Sequence, residues 1–327
     1  MGDETDASPS APATLAADRD GGGGQQRSEE DELLRRISEQ RKLINGLPGK
    51  TRADVCGRAP HQKKLGQLEF QYHMLMERKR VSAVLAEHQE KHGALYSEPC
   101  LVCLDDIYVY ASAGLVKRLF CCGGFVCATC AQNPRPARCP LCRKSESYGG
   151  KKKATELMSL AERGVMWAQT QVGRCMIEGI QGIKKQKNAG LKWIKKAAAQ
   201  NEPSALHYLA ELYRDGFASV LDESQEKSKE LLMRSANLGH VAANSQLARF
   251  YLHLAEFYSA GSAGLERDPD EAIFRATVAH ALDASNESAA MILGFHLKPD
   301  QASELSPYLA CYYLNIAANE DEDGIAS

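Results

Sequence analysis

Apolar residues recur at helical spacing through the C-terminal half of the chain. Ala168, Val172 and Met176 follow one another four residues apart, which places them on one face of a helix. The same spacing recurs twice, at Ala205, Leu209 and Tyr213 and at Ala243, Leu247 and Tyr251. Each of these segments is therefore predicted to be a helix that buries this face.

A longer pattern repeats around these helices. The pattern begins with an alanine and has a glycine or asparagine three residues later. It ends at an aliphatic residue that is followed by Gly or Ala. Three copies begin at Ala161, Ala198 and Ala236, and a degenerate fourth keeps Ala289, Leu293 and Gly294. Gly164, Asn201 and Gly239 are predicted to supply the left-handed turn between successive helices. A helical hairpin cannot bury its own apolar face, so the units are expected to stack into an α-solenoid.

Further glycines mark the ends of helices inside the repeats. Gly179 and Gly216 are predicted to end the first helix of two units, and the second helices are predicted at 188–199 and 225–236. The third unit has Leu254 where this glycine is expected, and an insertion falls around residues 252–267.

Two helices are predicted before the repeats. The first covers 29–45 and is followed by the helix breakers Gly46, Pro48 and Gly49. The second covers 61–91, where Leu65, Leu68, Tyr72 and Leu75 form a short apolar stripe that fades towards its end. The stripe is too short to establish a coiled coil, so this helix either packs on its neighbours or forms a dimer contact.

Composition divides the chain into six parts. Residues 1–28 are rich in Asp, Ala, Ser and Gly and are predicted to form a disordered tail. The remaining parts are a helical segment at 29–94, a cysteine-rich module at 95–146, a basic linker at 147–154, the repeats at 155–320 and an acidic tail at 321–327. Hydrophobic residues make up 44% of the chain, which suffices for an ordinary globular core.

Charge and hydropathy narrow the classes of function. The formal net charge of −2 argues against a protein that coats nucleic acid. The N-terminus lacks the pattern of a signal peptide, and the longest apolar candidate for a membrane span, 101–120, is interrupted by four charged residues. We therefore expect a soluble protein of the cytoplasm or nucleus that has no membrane partner. In such a reducing compartment, clustered thiols are more often metal ligands than disulfides.

Eight of the eleven cysteines lie between Cys100 and Cys142. They form three Cys-x2-Cys pairs and one adjacent pair: Cys100 with Cys103, Cys121 with Cys122, Cys127 with Cys130, and Cys139 with Cys142. Eight sulfurs are the number that two tetrahedral zinc ions need in closed structural sites. A redox Cys-x2-Cys is expected singly, so the block predicts two structural zinc ions as cofactors.

The order of the cysteines, with "CLVCLDD" at its start and "CPLCR" at its end, resembles the RING family. The resemblance implies a cross-brace, in which Cys100, Cys103, Cys127 and Cys130 hold one zinc and Cys121, Cys122, Cys139 and Cys142 hold the other. Histidine is absent from 100–142, and Gly124 stands at the usual histidine place. The segment "CGGFVC" instead resembles an all-cysteine subclass. The alternative is that one of the adjacent cysteines is spare and that His88, His92 or water completes the site.

The RING resemblance implies a ubiquitin ligase, which acts by positioning a conjugating enzyme and ubiquitin without a covalent intermediate. In this reading Val102 and Pro140 contact the ubiquitin-conjugating enzyme, and Arg143 contacts ubiquitin. Against it, "AQNPRPAR" at 131–138 lacks the large aromatic residue that such ligases often carry. The alternative is a non-catalytic adaptor, in which Val102 and Pro140 only pack the module. A nucleic-acid-binding zinc protein is disfavoured by the charge and by the few aromatic residues among the cysteines.

The repeats resemble the Sel-one-like family, which is related to tetratricopeptide repeats, in the segments "WAQTQVGRCMIEG" and "SALHYLAELYRDG". The resemblance implies a scaffold that binds a protein partner and has no catalytic residues. The whole chain is then mainly α, a small RING-like zinc module followed by an α-solenoid. A lysine-rich stretch at 184–196 is either a solvated helix face or a site for an acidic partner. Cys175 and Cys311 are expected to be buried small apolar residues, and Cys56 stands alone.

Overall fold

The computed structural model describes residues 28–49, 51–110, 116–132, 138–144, 150–217, 220–253, 267–296 and 306–318. Most of the predicted N-terminal tail, the predicted acidic tail, and Leu254 with most of the predicted insertion lie outside these ranges. The described chain forms two compact units, one ending at Glu77 and the other beginning at Arg78. No helix in the described ranges combines the length and the apolar character needed to cross a membrane.

The first unit is built from α1 (Glu29–Gly46) and the first part of α2 (Arg52–His92). Ser28 caps α1, accepting a hydrogen bond from the backbone N–H of Asp31 at 3.2 Å. The core of the unit contains Leu33, Ile37 and Leu68, and the rest of the predicted stripe, Leu65, Tyr72 and Leu75, packs against it. The stripe therefore faces α1. Helix α2 begins before its predicted start and includes Pro60.

The cysteine-rich segment forms two short antiparallel hairpins and one helix. Strand β1 (Glu98–Pro99) pairs with β2 (Asp106–Ile107), and β3 (Val116–Arg118) pairs with β4 (Phe125–Cys127). Helix α3 (Ala128–Gln132) follows β4 directly. A small core of Cys100, Leu119, Val126 and Cys139 joins the hairpins. With so few apolar residues, the module has little core of its own to hold it together.

After the last part of α2 and the cysteine-rich segment, the second unit is a row of helical hairpins, which confirms the mainly α fold. Its helices are α4 (Gly150–Glu162), α5 (Met166–Glu178), α6 (Lys187–Ala198), α7 (Pro203–Asp215), α8 (Gln225–Asn237), α9 (Val241–His253), α10 (Pro269–Leu282), α11 (Glu287–His296) and α12 (Ser306–Ala318). Helix α4 includes the last residues of the predicted basic linker. Gly164, Asn201 and Gly239 have φ values of 95°, 59° and 86°, so the predicted left-handed turns are present. Gly179 and Gly216 follow the ends of α5 and α7, as predicted.

The first two positions of each predicted inward face are buried, and the third positions, Met176, Tyr213 and Tyr251, are half-buried. Ala168, Val172, Ala205, Leu209, Ala243 and Leu247 all lie in the core. Between α5 and α6 the backbones approach so closely that a Cβ added to Gly190 would lie 2.6 Å from the carbonyl oxygen of Gly173. In this first hairpin Gly173, the small residue beside the aliphatic Val172, therefore allows the two helices to approach closely.

The prediction for the lone cysteines is half right. Cys175 is buried on α5, whereas Cys311 on α12 is exposed. Leu309 and Tyr313, four residues apart, form the buried face of α12, and Cys311 lies midway between them on the opposite side. The prediction that Cys311 is buried is therefore wrong.

Candidate metal centres

The eight clustered cysteines meet in two groups of four. Cys100, Cys103, Cys127 and Cys130 form one group, and Cys121, Cys122, Cys139 and Cys142 form the other. Within each group the sulfur atoms all lie within 4.8 Å of one another. The groups interleave along the chain, since the second begins between the two pairs of the first. This is the grouping that the RING resemblance implies.

The spacing of the sulfurs fits a tetrahedral metal ion. Four sulfurs at about 2.3 Å from a zinc ion lie roughly 3.8 Å from one another. The Sγ atoms of Cys103 and Cys127 are 3.9 Å apart, and those of Cys122 and Cys139 are 3.6 Å apart. All eleven cysteines are free thiols. Both groups can therefore hold a metal ion.

Two of the Cys-x2-Cys pairs lie on the same kind of turn. In each turn the residue after the second cysteine is left-handed, with φ of 67° at Leu104 and 60° at Arg143. The backbone hydrogen bonds also correspond: Leu104 N–H to Cys100 O at 3.0 Å, Cys100 N–H to Asp105 O at 2.9 Å, Arg143 N–H to Cys139 O at 3.0 Å, and Cys139 N–H to Lys144 O at 2.8 Å. These bonds hold both cysteines of a pair on one side of the turn.

The adjacent cysteines lie on a third turn of this kind. Gly123 has φ of 89°, its N–H donates to Leu119 O at 2.8 Å, and the N–H of Leu119 donates to Gly124 O at 2.9 Å. Leu119 therefore occupies the place of the first cysteine and Cys122 that of the second. Sequence reasoning missed Leu119, although its spacing to Cys122 and Gly123 repeats that of the other two turns.

Cys121 supplies the fourth sulfur of the second group from within this turn. The predicted bend at the adjacent pair is present, and it lies at the left-handed Gly123. A Cβ added to Gly124, at the usual histidine place, would lie 2.6 Å from Leu101 Cδ1, so this position is packed too closely for a ring. The structure thus brings both cysteines of the adjacent pair into one group.

Backbone N–H groups point at several of the sulfurs. Cys127 N–H donates to Cys100 Sγ at 3.4 Å, and Cys142 N–H donates to Cys139 Sγ at 3.4 Å. Burial alone raises the pKa of the Cys100 and Cys139 thiols, but hydrogen bonds from neighbouring backbone groups outweigh it, and the pKa of each lies below the ordinary thiol value. Burial keeps the pKa of Cys121 above that value. The backbone thus favours the thiolate form, which is the metal-binding form, at the first cysteine of each regular turn.

His88 and His92 lie elsewhere. His88 is fully buried on α2, where its ring stacks on Phe274 of α10 at 6.2 Å between centroids and contacts the ring of His92 at 4.9 Å. Neither histidine belongs to a described group of metal-ligating side chains. The structure therefore does not support the alternative in which His88 or His92 completes the second cysteine group.

The three residues assigned to ubiquitin transfer lie on the two regular turns. Val102 is 49% exposed, Pro140 is half-buried and Arg143 is exposed. Two further apolar side chains on these turns, Leu104 and Leu141, are 75% and 64% exposed. Sequence reasoning missed both, because exposure depends on the fold of the turns. The tips of the turns therefore present apolar side chains to solvent.

The cysteine module is hydrogen-bonded to the repeats within the second unit. The indole Nε1 of Trp167 donates to Gly123 O at 2.8 Å, next to the second cysteine group. Tyr96 N–H donates to Leu238 O at 3.0 Å, and Tyr110 O accepts from Val241 N–H at 3.4 Å. The module thus contacts three successive hairpins.

A buried carboxylate lies at this junction. Glu202, which caps α7, is 1% exposed and accepts hydrogen bonds from Tyr110 Oη, Thr170 Oγ1 and the N–H of Ala205. Burial raises the pKa of Glu202, while these donors and the charge of Arg118 act in the opposite direction. Burial and the neighbouring Glu202 carboxylate raise the pKa of Tyr110. Glu202 links the segment after Cys103 to two helices of the repeats.

Comparison with known proteins assigns the repeats. The Sel1 repeat family model matches residues 168–202, 203–240 and 241–274, all of which lie after the cysteine module. The resemblance to Sel-one-like repeats is therefore confirmed for these residues. Repeats of this kind are scaffolds for protein–protein interaction.

Individual similar proteins match parts of the chain. The chitin synthase regulator SKT5 of Saccharomyces cerevisiae is 32% identical over 107 residues, which are 31% of this chain and 15% of that protein. The crystal structure of a Sel1 repeat protein from Oxalobacter formigenes has a TM-score of 0.43 and 23% identity, covering 53% of this chain and 65% of that one. The protective antigen c5321 of uropathogenic Escherichia coli, which displays an SLR fold, has a TM-score of 0.42 and 16% identity, covering 91% and 58%. The chain thus spans less than two thirds of the length of each.

Proposed function

We propose that residues 95–146 form a RING-type module with two zinc ions, and that the protein is a ubiquitin ligase whose Sel1 repeats recruit a protein substrate. The observation that carries this proposal is the interleaving of the two cysteine groups. Interleaved pairs distinguish a cross-brace from two zinc sites in series.

The metal has a structural role in this proposal. Zinc, when bound, would be coordinated by the four thiolates of each group. Four sulfur ligands complete a tetrahedral site and leave no open position for a substrate. Transfer would then depend on surface contacts that place the conjugating enzyme and its ubiquitin. The exposed side chains of Val102, Leu104 and Leu141 are suited to an apolar contact with that enzyme. Arg143 is exposed beside the last cysteine, where its guanidinium can donate several hydrogen bonds to ubiquitin carbonyls.

A second candidate is the non-catalytic adaptor. It is favoured by the hydrogen bonds from Trp167, Tyr96 and Val241 that join the module to the repeats. In this case zinc stabilises the cysteine module as an added part of the repeat scaffold. The exposed apolar side chains of the module then bind a protein that is not a ubiquitin-conjugating enzyme. The adaptor shares the zinc sites of the ligase and lacks its transfer activity.

Discharge of ubiquitin from a loaded conjugating enzyme separates the two. Full-length, zinc-replete protein is added to a broad panel of loaded enzymes, and transfer to free lysine is followed. For a ligase, at least one enzyme is stimulated, and Val102→Glu slows discharge about tenfold or more while two zinc ions per chain remain bound.

The matched control is Met291→Glu, which places the same charge at another exposed apolar position, on α11. It should leave discharge unchanged. If zinc-replete protein stimulates no enzyme of the panel, the ligase proposal is wrong and the adaptor remains.

A further inference from the structure

Helix α6 and the turn before it carry a concentration of positive charge, the lysine face. Its residues are Lys184, Lys185, Lys187, Lys192, Lys195 and Lys196. The surrounding segment 179–201 contains no Asp or Glu. All six lysines are exposed, and none forms an ion pair among the described residues.

Helix stability accounts for only part of this arrangement, because Lys195 and Lys196 alone lie in the last turn of α6, where positive charge is favourable. Lys192, Lys195 and Lys196 are neighbours on the solvent side of α6, and like charges at these spacings destabilise a helix. The corresponding helices of the next two hairpins pair their charges. Glu230 and Arg234 are 3.8 Å apart on α8, and Glu271 and Arg275 are 2.7 Å apart on α10. Helices α8 and α10 each contain both acidic and basic residues, whereas α6 contains four lysines and no acidic residue.

Aromatic rings hold two of the ammonium groups at the surface. Lys196 Nζ lies 5.2 Å from the centre of the Trp193 ring, and Lys187 Nζ lies 5.4 Å from that of Phe217. Such contacts fix a lysine without neutralising it. On the adjacent helix α5, the carboxylate of Glu178 is paired with Arg174 at 3.8 Å. The charge of the lysine face is therefore directed to solvent.

We infer that the lysine face binds a short acidic segment of a partner protein in an extended conformation. Lys192, Lys195 and Lys196 lie within about 100° of one another around α6 and span about 6 Å along its axis, which two residues of extended chain cover, whereas Lys187 projects from the opposite side of the helix to Lys196. Side chains two residues apart in an extended segment point to the same side and lie about 7 Å apart, so Asp or Glu residues at this spacing can meet Lys192 and Lys196. The inference names a class of partner for the repeats and does not depend on ubiquitin transfer by the module.

The charge of the whole chain favours a short acidic segment over a nucleic acid. Without these six lysines the formal net charge of −2 would be −8, so a long polyanion that extends past α6 meets net repulsion. The lysine face also lacks arginine, the side chain best suited to bidentate binding of phosphate.

The test uses full-length protein and a fluorescent peptide with five consecutive glutamates, measured by anisotropy at low salt. The same peptide with five glutamines is the ligand control. The glutamate peptide should bind and the glutamine peptide should not, and binding should weaken as salt is added. Simultaneous Lys192→Gln, Lys195→Gln and Lys196→Gln should weaken binding about tenfold.

A matched variant removes the same charge elsewhere. Lys42→Gln, Lys63→Gln and Lys64→Gln change three exposed lysines of the first unit and should alter binding less than twofold. Equal loss in both triple variants, or no binding of the glutamate peptide, overturns the inference. So does tighter binding of an RNA oligonucleotide of equal charge through the same lysines. Because no ubiquitin is present in this assay, its outcome is separate from that of the discharge assay.

Discussion

Cys121 is the member of the second cysteine group whose position departs from the regular turns. Leu119 takes the place that a cysteine has in the other two turns, so the fourth sulfur comes from a position inside the turn. Cys121→Ser should therefore lower the zinc content below two ions per chain under mild chelation. Adding Leu119→Cys should restore it, since the backbone of the turn already suits a Cys-x2-Cys pair. Zinc is measured by elemental analysis, with exposed Cys56→Ser as the control. Two tightly held zinc ions in Cys121→Ser would show that another ligand completes the site.

Glu202 is the residue that joins the module to the repeats. Glu202→Ala should lower the free energy of unfolding by about 3 kcal/mol, because Tyr110, Thr170 and the N–H of Ala205 lose their buried acceptor. Tyr110→Phe removes only one donor and should cost about 1–2 kcal/mol. Urea denaturation measures both. A loss below 1 kcal/mol in Glu202→Ala would contradict a structural role for this carboxylate.

His88 makes stability depend on pH. Burial, and after it the charges of Arg275 and His92, lower the pKa of His88 to about 4. The folded protein therefore leaves His88 neutral at pH values where the unfolded chain protonates it. The contribution of neutral His88 to the free energy of unfolding is fully present above a pH of about 6.5. It falls by about 3 kcal/mol as the pH decreases towards 4. Denaturation at several pH values should show a smaller decrease in His88→Phe than in the native protein. Equal slopes would contradict this assignment.

At the scale of elements, glycine sets the packing of the first hairpin. Gly190→Ala places a Cβ 2.6 Å from the carbonyl oxygen of Gly173, so α5 and α6 must move apart, at about 1–3 kcal/mol of stability. In α2, Gly66→Ala meets open space and should stabilise its helix by up to about 1 kcal/mol. Thermal denaturation followed by circular dichroism compares the two variants. Similar effects in both would mean that helix propensity, and not the close approach, governs position 190.

At the scale of the whole second unit, metal removal should separate the module from the repeats. The module has a small core, whereas the stacked hairpins bury their apolar faces against one another. A chelator should therefore unfold residues 95–146 while most of the helical circular dichroism persists. The melting temperature of the repeats should fall, because the contacts of Trp167 and Glu202 with the module are lost. Loss of all helical signal on chelation would contradict independent folding of the repeats.

The sequence by itself determined the features that depend on local spacing. Ala168 and Val172 are four residues apart, and Gly164 and Asn201 occupy the turns, so the helices and their inward faces could be predicted from periodicity and backbone preference. The clustering of eight cysteines likewise predicted two groups of possible metal ligands, which the structure contains, while the zinc ions themselves stay a prediction. The helical predictions succeed because each depends on residues close together in the chain.

Only the tertiary structure decided which distant residues meet. It directs Cys121 into the second group, joins Tyr110 to Glu202 and leaves Cys311 exposed. The burial of a carboxylate beside a tyrosine distant in sequence leaves no periodic signal. Such contacts form only when complete helices and strands pack against one another. The local sequence of one segment does not indicate which distant segment will bury it or hydrogen-bond to it.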